Sequence, residues 1–184
     1  MEDTLELLSK AAKPVMVAGT KLRSTGAVDA FTDLVNTSDY AFASMPGAKG
    51  LISEAHSNYI GTYWGPVSSP GTAEIVESAN IYLFAGPRFT DYTTCGFTSL
   101  INSDKLIYAG PDFVRLPGIT YNHVMLKDFL GALTKEIKPN NASLHAYNRI
   151  KQEFAPEPRL RRTRKSQLAD YSLRCRMCSM QKRL

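Results

Sequence analysis

The sequence predicts an α/β fold, a parallel sheet with helices on both faces. Three observations carry that prediction. Short apolar runs recur along the first 110 residues, segments with helical spacing lie between them, and three of the four runs end in Ala-Gly. Strands that are apolar throughout, separated by helices, suit a sheet buried on both sides. Right-handed crossovers between such strands give a Rossmann-like layer order.

Each element has its own warrant. Leu5, Leu8 and Ala12 share one side of a short lead-in helix from Glu2 to Ala12, which Pro14 ends. Pro14–Gly19 is the first strand. Val28, Phe31, Leu34 and Val35 form one face of a helix over Gly26–Val35, and Tyr40–Met45 is the second strand. A long polar and aromatic connection, Pro46–Ser68, follows. Ser69-Pro70 reads as a helix start, with Ser69 as the cap and Pro70 at the first helical position, and the helix extends to Asn80. Ile81–Gly86 and Lys105–Gly110 are the next strands, and Ile119–Val124 is a further candidate. A helix over Met125–Ile137 closes the body, with Met125, Phe129, Leu130, Leu133 and Ile137 expected to face the sheet.

The chain has 184 residues, a hydrophobic content of 43% and a net charge of +5. That is one domain's length with a tail, and enough apolar residues for a core. The charge is unevenly placed. Nine of the 22 basic residues and one of the 17 acids fall after Pro158, so residues 159–184 carry +8 and residues 1–158 carry −3. The basic character therefore belongs to the tail. No apolar run reaches the length of a membrane-spanning helix. The acidic start, Met1-Glu-Asp-Thr-Leu-Glu, lacks secretory or transit features, so a cytoplasmic protein is expected.

A ligand of such a sheet usually sits beyond the carboxyl ends of the strands, where the strand order reverses. The loop there is Gly19-Thr-Lys-Leu-Arg-Ser-Thr-Gly26. Lys21 stands where the second glycine of a dinucleotide fingerprint would be, and the P-loop pattern is absent. Lys21 and Arg23 could meet a phosphate, although solvated loop charges explain them as well. A standalone nucleotide-binding module is thus the alternative reading. His56, His123 and His145 have no metal-ligand spacing, and Cys95 reads as a small packed side chain. Ser68 and Ser69 lack a nucleophile-elbow context. In the tail, Cys175 and Cys178 form a lone C-x-x-C with no second ligand pair. The run Arg159–Lys165 would attract phosphates by charge alone, which predicts a solvated, largely disordered extension and no specific nucleic-acid partner.

Beyond these patterns, particular stretches carry a resemblance. They are Lys13-Pro-Val-Met-Val-Ala-Gly-Thr-Lys-Leu-Arg23, Asn58-Tyr-Ile-Gly-Thr-Tyr-Trp-Gly65, Ser68-Ser-Pro-Gly71 with Glu74–Glu77, Phe89–Thr94, and Leu126-Lys-Asp-Phe-Leu130. In order and spacing over residues 10–155, they resemble the central domain of the pyruvate decarboxylases, and the plant and bacterial enzymes more than those of yeast. The resemblance implies thiamine diphosphate, Mg²⁺, non-oxidative decarboxylation of a 2-oxo acid such as pyruvate to an aldehyde, and a tetramer of three-domain subunits. It also implies that the cofactor lies between a pyrimidine-binding and a diphosphate-binding domain. Neither the Gly-Asp-Gly motif nor the His-His pair of those domains is in this sequence.

No residue is therefore assigned a catalytic, cofactor-binding or metal-ligating role, and the chain alone is expected to be inactive. Tyr63, Trp64 and Tyr92 are expected to pack or to form an interface. Thr20 and Lys21 occupy the region to which yeast-type activation attributes a cysteine, and Arg88 stands where the family usually has an apolar residue. The expected organisation is a lead-in helix over 1–12, the central domain over 13–155, and a linker remnant with a basic tail over 156–184. A gene fragment, a truncated product or a frame-altered end would account for residues 159–184.

Overall fold

In the computed structural model, which describes residues 1–153, the apolar runs lie side by side in one seven-stranded sheet. The strands are β1 (Pro14–Ala18), β2 (Ala41–Ser44), β3 (Tyr59–Thr62), β4 (Ile81–Ala85), β5 (Leu106–Ala109), β6 (Phe113–Leu116) and β7 (Ile119–Asn122). Their order is β3-β2-β1-β4-β5-β6-β7. The first five in chain order are parallel to their neighbours, as expected, whereas β6 and β7 add antiparallel. The sheet thus has the expected parallel part, β1 to β5, and an added antiparallel hairpin, β6 and β7, at one edge. The cause is the short connections. Three residues join β5 to β6 and two, Pro117-Gly118, join β6 to β7, while a parallel return needs a crossover of about a dozen. Gly118 at φ 83° makes the second turn.

Six helices among the described residues accompany the sheet: α1 (Glu2–Lys10), α2 (Lys21–Ser24), α3 (Val28–Ser38), α4 (Thr72–Glu77), α5 (Leu126–Glu136) and α6 (Ala142–Glu153). Alternation along the strands divides the core in two. Met16, Phe42, Leu83 and Ile107 face α1, α3 and α5, where Phe31, Leu34, Leu130 and Leu133 cover them. Val15, Val17, Ala43 and Phe84 face the other way, toward Ile75 and Val76 of α4 and Ala146 and Tyr147 of α6.

Besides α2 and β6, which the sequence reading did not contain, four elements depart from it. β3 lies inside the long connection; only Ile60 of its four residues is buried and Gly61 breaks the alternation, so the strand signal is faint. The helix expected from Ser69 starts instead after Gly71, which caps it at φ 77°. Ser69 cannot cap it because its hydroxyl accepts from the Thr62 N–H at 3.0 Å, tying the loop to β3. α5 begins after Met125, whose backbone is extended and whose side chain is exposed; the other four expected positions are buried. α6 had no sequence signal because it buries little: Ser143, Ala146 and Tyr147, at helical spacing, seat it on the sheet. Ser143 Oγ donates to the Pro14 carbonyl at 2.5 Å.

Thr72 is fully buried and its hydroxyl donates to the Ile60 carbonyl at 2.6 Å, joining α4 to β3. Thr72→Val keeps the shape and removes the donor. The expected loss is about 1–2 kcal/mol, read as a lower urea midpoint with an unchanged slope.

Candidate functional site

The strand order reverses between β1 and β4, so the crevice beyond Ala18 and Ala85 is where this architecture would place a ligand. Two glycines continue these strands. The Gly19 N–H donates to the Ala85 carbonyl at 2.8 Å, and the Lys21 N–H donates to the Gly86 carbonyl at 3.0 Å. A Cβ built on Gly19 would lie 2.1 Å from the Gly86 oxygen and 2.5 Å from Pro87 Cα. A Cβ built on Gly86, at φ 61°, would lie 2.9 Å from Lys21 Cβ and 3.0 Å from the Leu22 nitrogen. In a dinucleotide site the glycines let backbone approach a pyrophosphate. Here they let one loop approach the other, and the Gly19, Lys21 and Leu22 amides donate to carbonyls.

The remaining loop residues fit that closure. α2 is a single turn after β1, buries Leu22 and leaves Lys21 and Arg23 exposed. Neither takes part in the two ion pairs among the described residues. Thr20 packs on the neighbouring turn, its methyl 2.4 Å from a Cβ built on Gly47. The site the sequence marks as its best ligand candidate is a junction between two loops.

The other weighed residues also find structural partners. His56 Nδ1 accepts from the Asn58 N–H at 3.1 Å and Nε2 lies 2.9 Å from Asn36 Oδ1. Together these select the neutral tautomer protonated at Nε2. His123 and His145 are exposed, and His123 holds φ 60° at the end of β7. No three His, Cys, Asp or Glu side chains among the described residues are grouped to hold a metal ion. Ser68 Oγ accepts from the Trp64 N–H and donates to the Gly65 carbonyl. Cys95 is half-buried in a turn where Cys95, Gly96 and Phe97 all have positive φ. The expected linker remnant, the basic run and Cys175 and Cys178 lie outside the described residues.

The aromatic residues divide. Tyr63 is buried, and burial pushes its phenol well above the ordinary tyrosine range. Its hydroxyl donates to Glu77 Oε1 at 2.9 Å, and the same oxygen accepts from the Leu100 N–H. Trp64 is half-buried, with Nε1 donating to the Tyr92 carbonyl and its ring 5.1 Å from that of Tyr92. Tyr92, Arg88, Phe97 and Leu100 are exposed on the segment between β4 and β5. Sequence reasoning met Glu77 only within the Glu74–Glu77 stretch of the resemblance and gave it no role; it ties α4 to that segment.

Residues 1–131 match the family model described as thiamine pyrophosphate enzyme, central domain. The chain belongs to that family. Its relatives include pyruvate decarboxylase 1 of Arabidopsis thaliana, 48% identical over 85% of this chain. Pyruvate decarboxylase 2 of Oryza sativa subsp. japonica is 49% identical over the same share, and pyruvate decarboxylase 2 of Pisum sativum is 48% identical. The chain spans 26% of the length of the first two and 38% of the third. As a thiamine pyrophosphate enzyme central domain, the fold carries a closed switch point where the standalone nucleotide-binding reading required an open one.

Proposed function

We propose that this chain is the central-domain portion of a 2-oxo acid decarboxylase of the pyruvate decarboxylase type, with a structural role in that enzyme. Decarboxylation and the binding of thiamine diphosphate and Mg²⁺ then belong to parts of a longer protein. Pyruvate or a similar 2-oxo acid as substrate, a tetrameric assembly and a cytoplasmic setting are the finer parts of the same proposal. Supporting it, the relatives named above carry the pyruvate decarboxylase name and are much longer than this chain. No described helix is long and apolar enough to cross a membrane.

The observation that carries the structural role is the closure of Gly19 against Gly86. In support, no three metal-donor side chains are grouped among the described residues, and the Gly19, Lys21 and Leu22 amides already donate to carbonyls. No reaction step is derived through these residues.

Calorimetry on the purified 184-residue chain tests the proposal. Thiamine diphosphate with MgCl₂ should release no binding heat, and pyruvate should yield no CO₂. FAD, ADP and NAD should likewise give no heat. Saturable binding of thiamine diphosphate, or turnover, would overturn the structural role; binding of FAD, ADP or NAD would show that the crevice opens.

A further inference from the structure

The sheet ends in two edge strands, β3 and β7, and the chain treats them differently. An open edge is a row of backbone donors and acceptors that can template another strand. At β3 those groups are taken. The Ile60 carbonyl accepts from Thr72 Oγ1 at 2.6 Å, the Thr62 N–H donates to Ser69 Oγ at 3.0 Å, and the Thr62 carbonyl accepts from the Ser69 N–H at 2.9 Å. A register shift against β2 and Gly61 at φ 124° distort that edge further.

At β7 nothing comparable is found among the described residues. Leu116 and Ile119 flank the two-residue turn as a bonded pair, and the alternation of an antiparallel ladder makes Val114 and Tyr121 the next one. Thr120 and Asn122 therefore aim their N–H and carbonyl groups outward. No backbone bond among the described residues meets them there, and both residues are exposed. The usual guards of an edge are missing too. Ile119-Thr-Tyr-Asn122 holds no charge and no proline. Arg115, opposite Thr120 on β6, lies over the rings of Tyr108 and Phe113 and so leans away from the edge.

The order of side chains indicates the occupant. Ile119 and Tyr121 share the α1 side of β7, where the Tyr121 hydroxyl donates to Asp3, and Thr120 and Asn122 share the other. When a strand pairs antiparallel with a copy of itself in one continuous sheet, residues on one side must meet residues on that same side. Centring the pair on Thr120 satisfies this. Thr120 then meets Thr120 of the second copy, and Ile119 meets Tyr121 twice. Threonine pairs and pairs of an aromatic with a β-branched residue are both favourable cross-strand neighbours. The outward groups match as well, since each Thr120 N–H faces the other copy's Thr120 carbonyl.

We propose that two copies of this chain pair through β7, antiparallel and centred on Thr120, so that the sheet continues from one copy into the other. Four residues a side make a small interface, so the dimer is weak and separates on dilution. The pairing goes beyond the proposed function and does not depend on it: dilution tests the one, calorimetry the other.

Sedimentation equilibrium and amide exchange on the ¹⁵N-labelled 184-residue chain make the test. The chain should dimerise reversibly. The Thr120 amide should become protected as concentration rises, and that of Tyr121, already bonded within the hairpin, should change less. Thr120→Pro removes the outward N–H at a position where an edge strand tolerates proline. It should weaken the dimer about ten- to hundredfold, the loss of two hydrogen bonds. Thr120→Lys keeps the amide but sets like charges opposite each other, and should weaken the dimer too. A monomer at every concentration, a dimer indifferent to either substitution, or protection that rises elsewhere and not at Thr120 would overturn the pairing. So would a Thr120 amide protected in the monomer, which would mean that another part of the chain fills the edge.

Discussion

Gly19→Ala is expected to destabilise the domain by about 3 kcal/mol or more, at the upper end for overpacking a tight site. The added methyl would sit 2.1 Å from the Gly86 oxygen, and backbone cannot step aside as a side chain can. One or both strand-to-loop bonds, from Gly19 N–H to Ala85 and from Lys21 N–H to Gly86, would have to break. For a domain of this size, the melting temperature should fall by about 6–12 °C. Gly26→Ala is the comparison: Gly26 has φ 62° with nothing within 4 Å, so it carries only the conformational penalty of about 1–2 kcal/mol. Equal effects of the two substitutions would mean that the junction is looser than the geometry describes.

Phe84→Ala should cost about 3–5 kcal/mol, measured by urea denaturation. Phe84 is fully buried in β4 and its ring lies 6.2 Å from those of Tyr63 and Tyr82 and 5.3 Å from Phe89. The row continues from Phe89 to Tyr108 and Phe113, the last two stacked at 5.4 Å, with the Arg115 guanidinium over them. Removing its centre leaves a void bordered by three rings that cannot all move in. Phe97→Ser supplies the contrast, because Phe97 is 70% exposed. Its loss should leave stability within about 0.5 kcal/mol of the parent. A small effect at Phe84 would mean that the segment between β4 and β5 is not seated on the sheet.

The sequence revealed the parts of this fold that repeat an apolar signal. β1, β2 and β4 are buried at every step and β5 at alternate ones, and all their residues but Ser44 are apolar, so they stand out. β6 and β7 do not repeat it: β7 is mostly exposed, and Arg115 interrupts β6 while lying across two rings. The Pro117-Gly118 dipeptide was the legible clue to their hairpin. α6 stayed hidden because three residues and one hydroxyl suffice to dock it.

The site divides in the same way. The loop after β1 could be located from the strand ending in glycine, but not what its glycines approach. That depends on Gly86, far along the chain, and spacing within one loop carries no record of it. Tyr40 was read as the start of a strand, and it lies one residue before β2, which opens at Ala41. The aromatic words Tyr63-Trp64 and Asp91-Tyr92 supplied the resemblance, and the structure gives them different tasks: Tyr63 lies inside, while Tyr92 faces outward beneath Trp64.

The bond from Ser143 to Pro14 spans 129 residues of chain. A ribosome adding about 5–20 residues per second would expose β1 roughly 6–26 s before the helix that covers it has been made. Through that interval the α4 side of β1 and β4 has only its short first helix to shelter Val15, Val17 and Phe84. Contacts of such long separation also slow folding from the denatured state. The last of the described helices thus closes the layer that the first strand opens, and the vulnerable period of this layer is set by the clock of translation.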